Sequence, residues 1–354
     1  TKEGCAEGGC GACTVVLGEL KKNNISYKAI NSCIAFLPSL EGKQLILVED
    51  LNVDGELHPV QKAMVNYHGS QCGFCTPGFV MSLFAMYKNS SSYKNENIKD
   101  SIQGNLCRCT GYRPIVEAAK SLNRDKKKDL FTRDKKIILK LLNKIKKRSI
   151  KIIKSNKKYF APKSVKELNE ILRLEPNSKL ISGGTDVSLI VTKERKDINS
   201  LIYLNSIDEL NYIKENNKYI EVGASTPLIK FESFAKKYFP DFSQILKRYG
   251  SVQIRNVCTI AGNIATASPI GDTLPLLLAL DSQIIIKSKN KTIILPINGF
   301  FTNYRKTKLK KGQFIHSIRI PFLKQNIFKA YKISKRIDDD ISSVCGSFNF
   351  EINN

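Results

Sequence analysis

The chain contains no tryptophan, three methionines, three histidines and twelve prolines in 354 residues, and its 32 acidic residues are outnumbered by 57 basic ones. His58, His68 and His316 fall at no metal-ligand spacing and read as surface or packing residues. Long apolar runs are also missing. The longest, around Leu276 to Leu280, is far short of the ~18 to 20 residues a membrane-spanning helix needs, which excludes an integral membrane architecture. Thr1 to Glu7 carry neither the basic segment nor the apolar core of a secretory signal, so the expected location is cytoplasmic. The first residue is not Met, and the chain reads as trimmed at its start. No Gly-x-Gly-x-x-Gly follows an expected strand, which removes sequence support for a Rossmann dinucleotide site. Only twelve of the basic residues are Arg, the side chain best suited to bidentate phosphate contacts, so the charge of +25 is a poor argument for nucleic-acid binding. What is present is 42% hydrophobic residues, enough for two or three domains with buried cores, and ten cysteines.

The distribution of charge and cysteine divides the chain. Arg124 to Lys158 holds sixteen Lys or Arg against three Asp, and so contributes +13 of the +25. Domain boundaries often fall in such polar segments. Within it Ile137, Leu141 and Ile145 recur at helical spacing among lysines, predicting a basic amphipathic helix. That helix suits either an anionic surface or a solvated linker that packs a few apolar side chains on a neighbouring domain. Eight cysteines precede this segment, and only Cys258 and Cys345 follow it, reading as small hydrophobes.

Cys5, Cys10, Cys13 and Cys33 follow the Cys-x4-Cys-x2-Cys order with a distant fourth ligand, the plant-type spacing of a 2Fe-2S cluster. The small residues between them let the loop wrap tightly and turn backbone N–H groups toward cluster sulfurs. Thr14 to Leu17 then predicts a strand. The second set, Cys72-Gly73-Phe74-Cys75 and Cys107-Arg108-Cys109, matches no ordinary ferredoxin spacing. Zinc is the alternative, although one residue between the last two ligands is unusual for a zinc knuckle. Thr76-Pro77 predicts an N-cap and first turn after Cys75, with Val80, Leu83, Phe84 and Tyr87 on the apolar face. Gly111 and Pro114 precede a second helix beginning near Ile115, so both cysteine pairs are expected at helix starts, whose positive ends favour thiolates.

From Tyr159 onward helices and strands alternate. Ser164 with Glu167 forms a capping box for a helix through Leu174, followed by a short strand at Lys179 to Ser182. Gly183-Gly184-Thr185-Asp186 then offers backbone N–H groups that suit a pyrophosphate, although an ordinary turn explains two glycines equally well. Thr259 to Asp272 is richer in hydroxyl and amide groups and suits phosphate and sugar hydroxyls together. Val344, Phe348, Phe350 and Ile352 alternate as a strand opening a third subdomain.

The runs Gly4 to Cys13, Gln71 to Gly78 and Gly104 to Pro114 resemble the two iron-sulfur modules of the xanthine dehydrogenase family of molybdenum hydroxylases. The resemblance implies a multidomain α+β chain. Residues 1–41 would be a partial β-grasp 2Fe-2S ferredoxin domain lacking a preceding hairpin, and 42–123 a four-helix 2Fe-2S bundle. A basic linker would follow at 124–158, an α+β FAD-binding domain of the vanillyl-alcohol oxidase type at 159–330, and the start of a truncated flavoprotein subdomain at 331–354. It implies that Cys72, Cys75, Cys107 and Cys109 hold a second 2Fe-2S cluster. Carried over motif by motif, Leu180, Ile181, Ser182, Gly183, Gly184, Thr185, Asp186 and Val187 would follow the flavin pyrophosphate and Tyr249 would border the adenine. Thr259, Ile260, Ala261, Gly262 and Asn263 would add phosphate contacts. Asp272 would hold the ribityl or flavin side, with Ile315 and Lys332 beside the isoalloxazine. The implied function is electron transfer from the molybdenum centre of a molybdopterin-binding partner, through two 2Fe-2S clusters, to FAD and then NAD+, in support of hypoxanthine and xanthine oxidation. No residue here is expected to perform the hydroxylation. The alternatives are the corresponding part of a hydroxylase acting on aldehydes, carbon monoxide or aromatic compounds, and, from a different class, a zinc-stabilised cationic nucleic-acid-binding module. No aromatic residues interleave the basic run from Ile137 to Lys154, which weakens the last.

Overall fold

The computed structural model describes residues 1–90, 93–122, 129–145, 148–323 and 325–351. They divide into two compact units. The first is built from the described chain up to Ile145, together with Thr192–Glu194 and Ser251–Asn256; the second holds the remainder.

In the first unit, strands β1 (Thr14–Lys21) and β2 (Asn24–Asn31) form a hairpin and β3 (Gln44–Ile46) pairs on the other side of β1, all antiparallel. Lys22 adopts φ 54° in the two-residue connection, the left-handed twist that tight hairpins need. Four helices follow: α1 (Pro59–Asn66), α2 (Thr76–Asn89), α3 (Asn95–Ile102) and α4 (Arg113–Lys120). The sequence pattern assigns α2 one apolar face, yet Gly78 to Tyr87 are buried all round. An uninterrupted apolar helix of this kind is central, covered on every side. Val16, Ile25 and Tyr27 of the sheet share one core with Phe79, Phe84, Ile98 and Ile115 of the helices.

The basic segment is more structured than a linker. It forms α5 (Leu130–Arg133) and α6 (Lys135–Lys144) on the first unit, and its last residues form strands β4 (Ile150–Lys154) and β5 (Lys157–Ala161) of the second. The helix is present, but its inward face is Ile138, Leu139 and Leu142, whereas Ile137, Leu141 and Ile145 are 61%, 56% and 41% exposed. Two apolar stripes at the same spacing lie on this helix, and spacing alone cannot tell which meets the core. Residues 124–128 and 146–147 of the expected linker lie outside the described residues.

The second unit carries two larger sheets. In the first, β4 pairs antiparallel with β5, which runs parallel to β7 (Ser200–Tyr203), itself parallel to β6 (Lys179–Ile181). Helices α7 (Val165–Leu174) and α8 (Val187–Thr192) form the connections. Only half of the expected capping box forms: Ser164 Oγ accepts the Glu167 N–H at 3.1 Å, but the Glu167 carboxylate accepts from Lys163 N–H at 2.8 Å. The second sheet is antiparallel, in the order β11 (Lys291–Pro296), β10 (Gln283–Ser288), β14 (Phe314–Pro321), β9 (Tyr219–Gly223), β8 (Ile213–Glu215). Helices α9 (Leu228–Tyr238), α10 (Pro240–Lys247), α12 (Ile260–Thr266) and α13 (Thr273–Ala279) belong to this unit, while α11 (Val252–Arg255) belongs to the first. A small ribbon joins β12 (Phe301–Asn303) to β13 (Lys306–Thr307), and β15 (Ile327–Ile333) pairs with β16 (Val344–Phe350). The last strand forms where expected, but Val344, Phe348 and Phe350 lie on its exposed face, with Ile352 outside the described residues.

A buried charge cluster closes the first unit. The Asp129 carboxylate accepts from Lys88 Nζ, from Thr132 Oγ1 at 3.0 Å and from Phe131 N–H at 3.0 Å, and lies 3.4 Å from His58 Nε2. His58 is itself the N-cap of α1, its Nδ1 accepting from Val60 N–H at 3.2 Å. Burial opposes ionisation of Asp129, but His58 and Lys88 win and hold its pKa down at about 2. A carboxylate depressed in this way stabilises the fold above its unfolded value of about 3.9 and ceases to as pH falls toward 2. Asp129→Ala is predicted to cost about 3 to 5 kcal/mol in denaturant unfolding at neutral pH, because it strips a buried lysine of this carboxylate. Between pH 4 and 2 the difference between the two proteins should narrow; a constant difference would show that the ion pair contributes nothing.

Candidate iron-sulfur and flavin sites

In the first set the thiol of Cys5 faces that of Cys10, and the thiol of Cys13 faces that of Cys33. In the second, Cys72 faces Cys109 and Cys75 faces Cys107. Each set of four is thus gathered from distant positions as two pairs. Among the described residues, no three His, Cys, Asp or Glu side chains could hold a single metal ion. Tetrahedral zinc, with Zn–S bonds of about 2.3 Å, would draw all four sulfurs of a set together. The two facing pairs would also suit two iron atoms, each taking two thiolates.

In each facing pair one thiol is held below its ordinary value and the other above it. Burial opposes ionisation of Cys5, but the amides of Glu7, Cys10 and Gly9 win and hold its thiol below the usual value. The Cys33 side chain brings Cys13 down to about 6. Burial likewise opposes Cys107, but the Thr110 hydroxyl, 3.1 Å from its sulfur, and the Thr110 N–H at 3.5 Å hold it below the ordinary value. The Tyr112 hydroxyl accepts from the Cys107 N–H at 2.9 Å. Burial pushes Cys75 up to about 12, the direction a bound metal would have to reverse.

The local caps differ from the sequence reading. Cys75 itself is the N-cap of α2, with Thr76 and Pro77 inside the first turn; the Thr76 hydroxyl instead lies 2.8 Å from Ser70 Oγ. The second pair is not at a helix start, since the N-cap of α4 is Tyr112, in a left-handed conformation at φ 68°, three residues beyond Cys109. The turn that lets the Tyr112 hydroxyl reach back to Cys107 occupies that interval.

The two sets are joined by backbone. Leu106 N–H donates to Cys10 C=O at 3.0 Å, placing the neighbour of Cys107 against a ligand of the other set. Gly11 sits at φ 70°, and a Cβ there would lie 2.2 Å from Gly104 O; a Cβ on Gly78 would lie 2.2 Å from Gly11 O. Spacing within each motif shows the need for small residues, but not that these glycines face each other across the two motifs.

In the second unit, Leu180 and Ile181 end β6, and Ser182 to Asp186 form the turn into α8, which begins at Val187. Gly183 has no room for a side chain, since a Cβ would meet Val257 O at 2.2 Å, and Gly184 adopts φ 73°. Thr259 caps α12 through Gly262 N–H at 3.0 Å, with Ile260, Ala261 and Asn263 in its first turns. Asn263 Nδ2 donates to the Tyr249 hydroxyl at 3.0 Å, while its Oδ1 accepts from Thr273 Oγ1. Burial, with Cys258, Asp272 and Asp186 nearby, pushes the Tyr249 hydroxyl well above its ordinary value. Tyr249 therefore marks where the two glycine-bearing loops meet. Buried Lys332 pairs with Asp272 at 2.7 Å and donates to Arg248 C=O at 3.0 Å. Ile315 stands apart, buried in β14 beside Ile286.

Asp272 already accepts from Lys332 through one oxygen and from Ser342 through the other. Cys345, read from the sequence as an apolar filler, has its Sγ 3.7 Å from Asp272 C=O. Arg248 binds the Lys332 carbonyl at 2.8 Å and Ser334 Oγ at 3.0 Å. Ser342, Cys345 and Arg248 carry no motif, and the 60 to 100 residues separating them from their partners' loops gave no signal. His316 is half-buried, and burial with Lys287 brings its pKa down to about 4.

An iron-sulfur unit followed by an FAD unit is the layout of a redox flavoprotein, and comparison with known proteins defines the lineage. Residues 47–120 match the family model described as a [2Fe-2S] binding domain, and residues 152–323 that described as the FAD binding domain in molybdopterin dehydrogenase. The xanthine dehydrogenase of Emericella nidulans is 33% identical across 97% of this chain and 30% of its own length. The xanthine dehydrogenase/oxidase of Rattus norvegicus is 31% identical across 97% and 30% respectively. A solved carbon monoxide dehydrogenase from Hydrogenophaga pseudoflava, lacking the Mo-pyranopterin moiety, superposes on 57% of this chain and 72% of its own, with TM-score 0.53 and 25% identity. Quinoline 2-oxidoreductase from Pseudomonas putida 86 shares the fold, with TM-score 0.51 and 21% identity over 55% of this chain and 68% of its own. These matches support a likeness to the molybdenum hydroxylase family over its iron-sulfur and FAD-binding part. The chain spans about a third of the length of the curated relatives it matches.

Two predictions follow from the geometry. Gly11→Ala should destabilise the first unit by about 1 to 3 kcal/mol and reduce bound iron, because both the left-handed backbone and the facing Gly104 carbonyl resist a methyl group; iron assay and thermal melting check it, and wild-type values in both would refute it. Asp272→Asn should lower FAD affinity about tenfold to a hundredfold while iron content stays normal, since it removes the charge that holds Lys332. Flavin retention on serial dilution measures this directly.

Proposed function

We propose that this chain is the electron-transfer part of a xanthine dehydrogenase-like molybdenum hydroxylase, receiving electrons at Cys72, Cys75, Cys107 and Cys109, passing them by way of Cys5, Cys10, Cys13 and Cys33 to FAD, and delivering them to NAD+. Both cysteine sets would hold 2Fe-2S clusters, and the molybdenum centre that oxidises hypoxanthine and xanthine would lie on a molybdopterin-binding polypeptide. One observation carries the reading. Relatives named xanthine dehydrogenase align along 97% of the chain, through the iron-sulfur and the flavin stretches together.

When bound, iron-sulfur clusters supply one-electron carriers and a flavin accepts one or two electrons. The residues divide the labour. The amides around Cys5 and the hydroxyl of Thr110 support anionic sulfur. Cys72 and Cys109 are exposed, which leaves that edge of the second set reachable by a donor, while Cys13 is buried. Gly183, Gly184 and Thr259 to Asn263 shape the phosphate end of the flavin site, and Asp272 with Lys332 sets a fixed charge pair at the other. Among the described residues no helix is long and apolar enough to cross a membrane. We place the complex in the cytoplasm.

The assignment predicts separable activities. The holoprotein should pass electrons from NADH to an artificial acceptor without oxidising purines, and adding the molybdenum-bearing polypeptide should bring purine oxidation. Cys72→Ser should abolish the purine reaction and spare the NADH reaction. Purine oxidation without the partner, or loss of both activities with flavin still bound, would overturn the order of carriers.

A further inference from the structure

The segment Ser251–Asn256 lies inside the stretch matched by the FAD-domain family model, yet belongs to the iron-sulfur unit. It is anchored there at several points. Arg255 pairs with Asp100 at 2.7 Å, Asn256 Nδ2 donates to Ala29 C=O at 2.8 Å, and Ser251 caps α11. Between these anchors Gln253 is buried to 1% exposure. Its Nε2 lies 3.2 Å from Thr14 Oγ1, 3.1 Å from Ser82 Oγ and 3.2 Å from Asn105 Oδ1.

Each partner belongs to a different cysteine-bearing element. Thr14 follows Cys13 and donates to Gly11 C=O at 2.6 Å. Ser82 is on α2, whose N-cap is Cys75. Asn105 lies two residues before Cys107 and donates to Gly11 C=O at 3.1 Å, while Ser82 Oγ donates to Asn105 Oδ1 at 2.6 Å. Thr14 and Ser82 spend their hydroxyl hydrogens on Gly11 and Asn105, so their oxygens are left to accept, and the two Nε2 hydrogens are shared among three acceptors. The other side of Gln253 is equally constrained. Among the described residues its buried Oε1 has no hydrogen-bond partner, and a Cβ on Gly104 would lie 2.6 Å from it.

We infer that Gln253 is a positioning residue for electron transfer between the two cysteine sets, its carboxamide holding the loop of Cys10 and Cys13, the loop of Cys107 and Cys109, and the middle of α2 at one fixed separation. The inference rests on the proposed reading that both sets hold 2Fe-2S clusters. It assigns to a segment within the FAD-domain match the control of inter-cluster geometry, with no role in ligating iron or flavin.

The test uses the full-length holoprotein reduced with dithionite, with iron and flavin assays, low-temperature EPR and potentiometric titration. The wild type should show two reduced-cluster signals with a mutual magnetic splitting. Gln253→Met, of equal length but without the amide, should keep iron and flavin while the splitting collapses or changes and the cluster potentials shift; Val252→Ala on the same helix should leave every signal at wild type. Thr14→Val should reproduce the Gln253→Met spectrum, and Thr14→Ser, which keeps the hydroxyl, should restore the wild-type one. Wild-type splitting and potentials in an iron-replete Gln253→Met protein refute the inference. Where Gln253→Met does not retain iron, the Thr14 pair decides, and a wild-type spectrum from Thr14→Val refutes it equally. Absence of two cluster signals from the wild-type protein would instead defeat the underlying assignment.

Discussion

The first unit depends on one close approach of backbone to backbone, where Gly11 meets Gly104 and Gly78. At that point two cysteine motifs separated by about sixty to ninety residues touch without intervening side chains. A methyl group at either interface would overlap a carbonyl oxygen. The hydrogen bond from Leu106 N–H to Cys10 C=O, and those from Asn105 to Gly11 and to Thr14, become possible only because that volume is empty. Packing and polar bonding are coupled here, since loss of contact would leave several buried polar groups unsatisfied together.

This constraint accounts for the shape of the core around it. Helix α2 starts at Cys75, passes Gly11 at Gly78 and continues with every side chain from Phe79 to Tyr87 buried. One polar side chain enters that contact: Ser82, one turn beyond Gly78, donates to Asn105. The sheet residues Val16, Ile25 and Tyr27 complete the surroundings of α2, so strands and helices share one core. At the far end of α2, Lys88 meets Asp129 and ties the basic segment down. The lysine excess of that segment is therefore compatible with order, because Phe131 and Leu142 supply burial while the ammonium groups remain outside.

The second unit solves a different problem. A flavin is large and carries both phosphates and an aromatic ring system, and the loops able to receive it come from two sheets and a terminal ribbon. Tyr249 stands near both Asp186 and Asp272, bringing the turn after β6 to the loop before α13. Lys332 reaches from β15 to Asp272, and Arg248 fastens the same strand end through its carbonyl. A buried ion pair costs desolvation and is retained when it specifies geometry. Here it fixes where a positive charge sits beside the expected ring system.

Local chemistry was legible in the sequence. Ligand spacing, glycine placement, the Ser164 cap and the short strand at Lys179 to Ile181 all depend on residues within a few positions of one another, whose preferences survive in the fold. Even so, neighbouring choices of similar energy were decided elsewhere: Cys75 rather than Thr76 became the cap, and Ile138 and Leu142 rather than Ile137 and Leu141 turned inward. The pairing of sulfurs two by two, the carboxylate held between Lys332 and Ser342, and the insertion of Gln253 among Thr14, Ser82 and Asn105 belong to tertiary structure alone. The Lys332, Ser342 and Gln253 contacts join residues 60 to 239 positions apart, where chain connectivity imposes no geometry and only the packing of whole elements determines which polar groups meet.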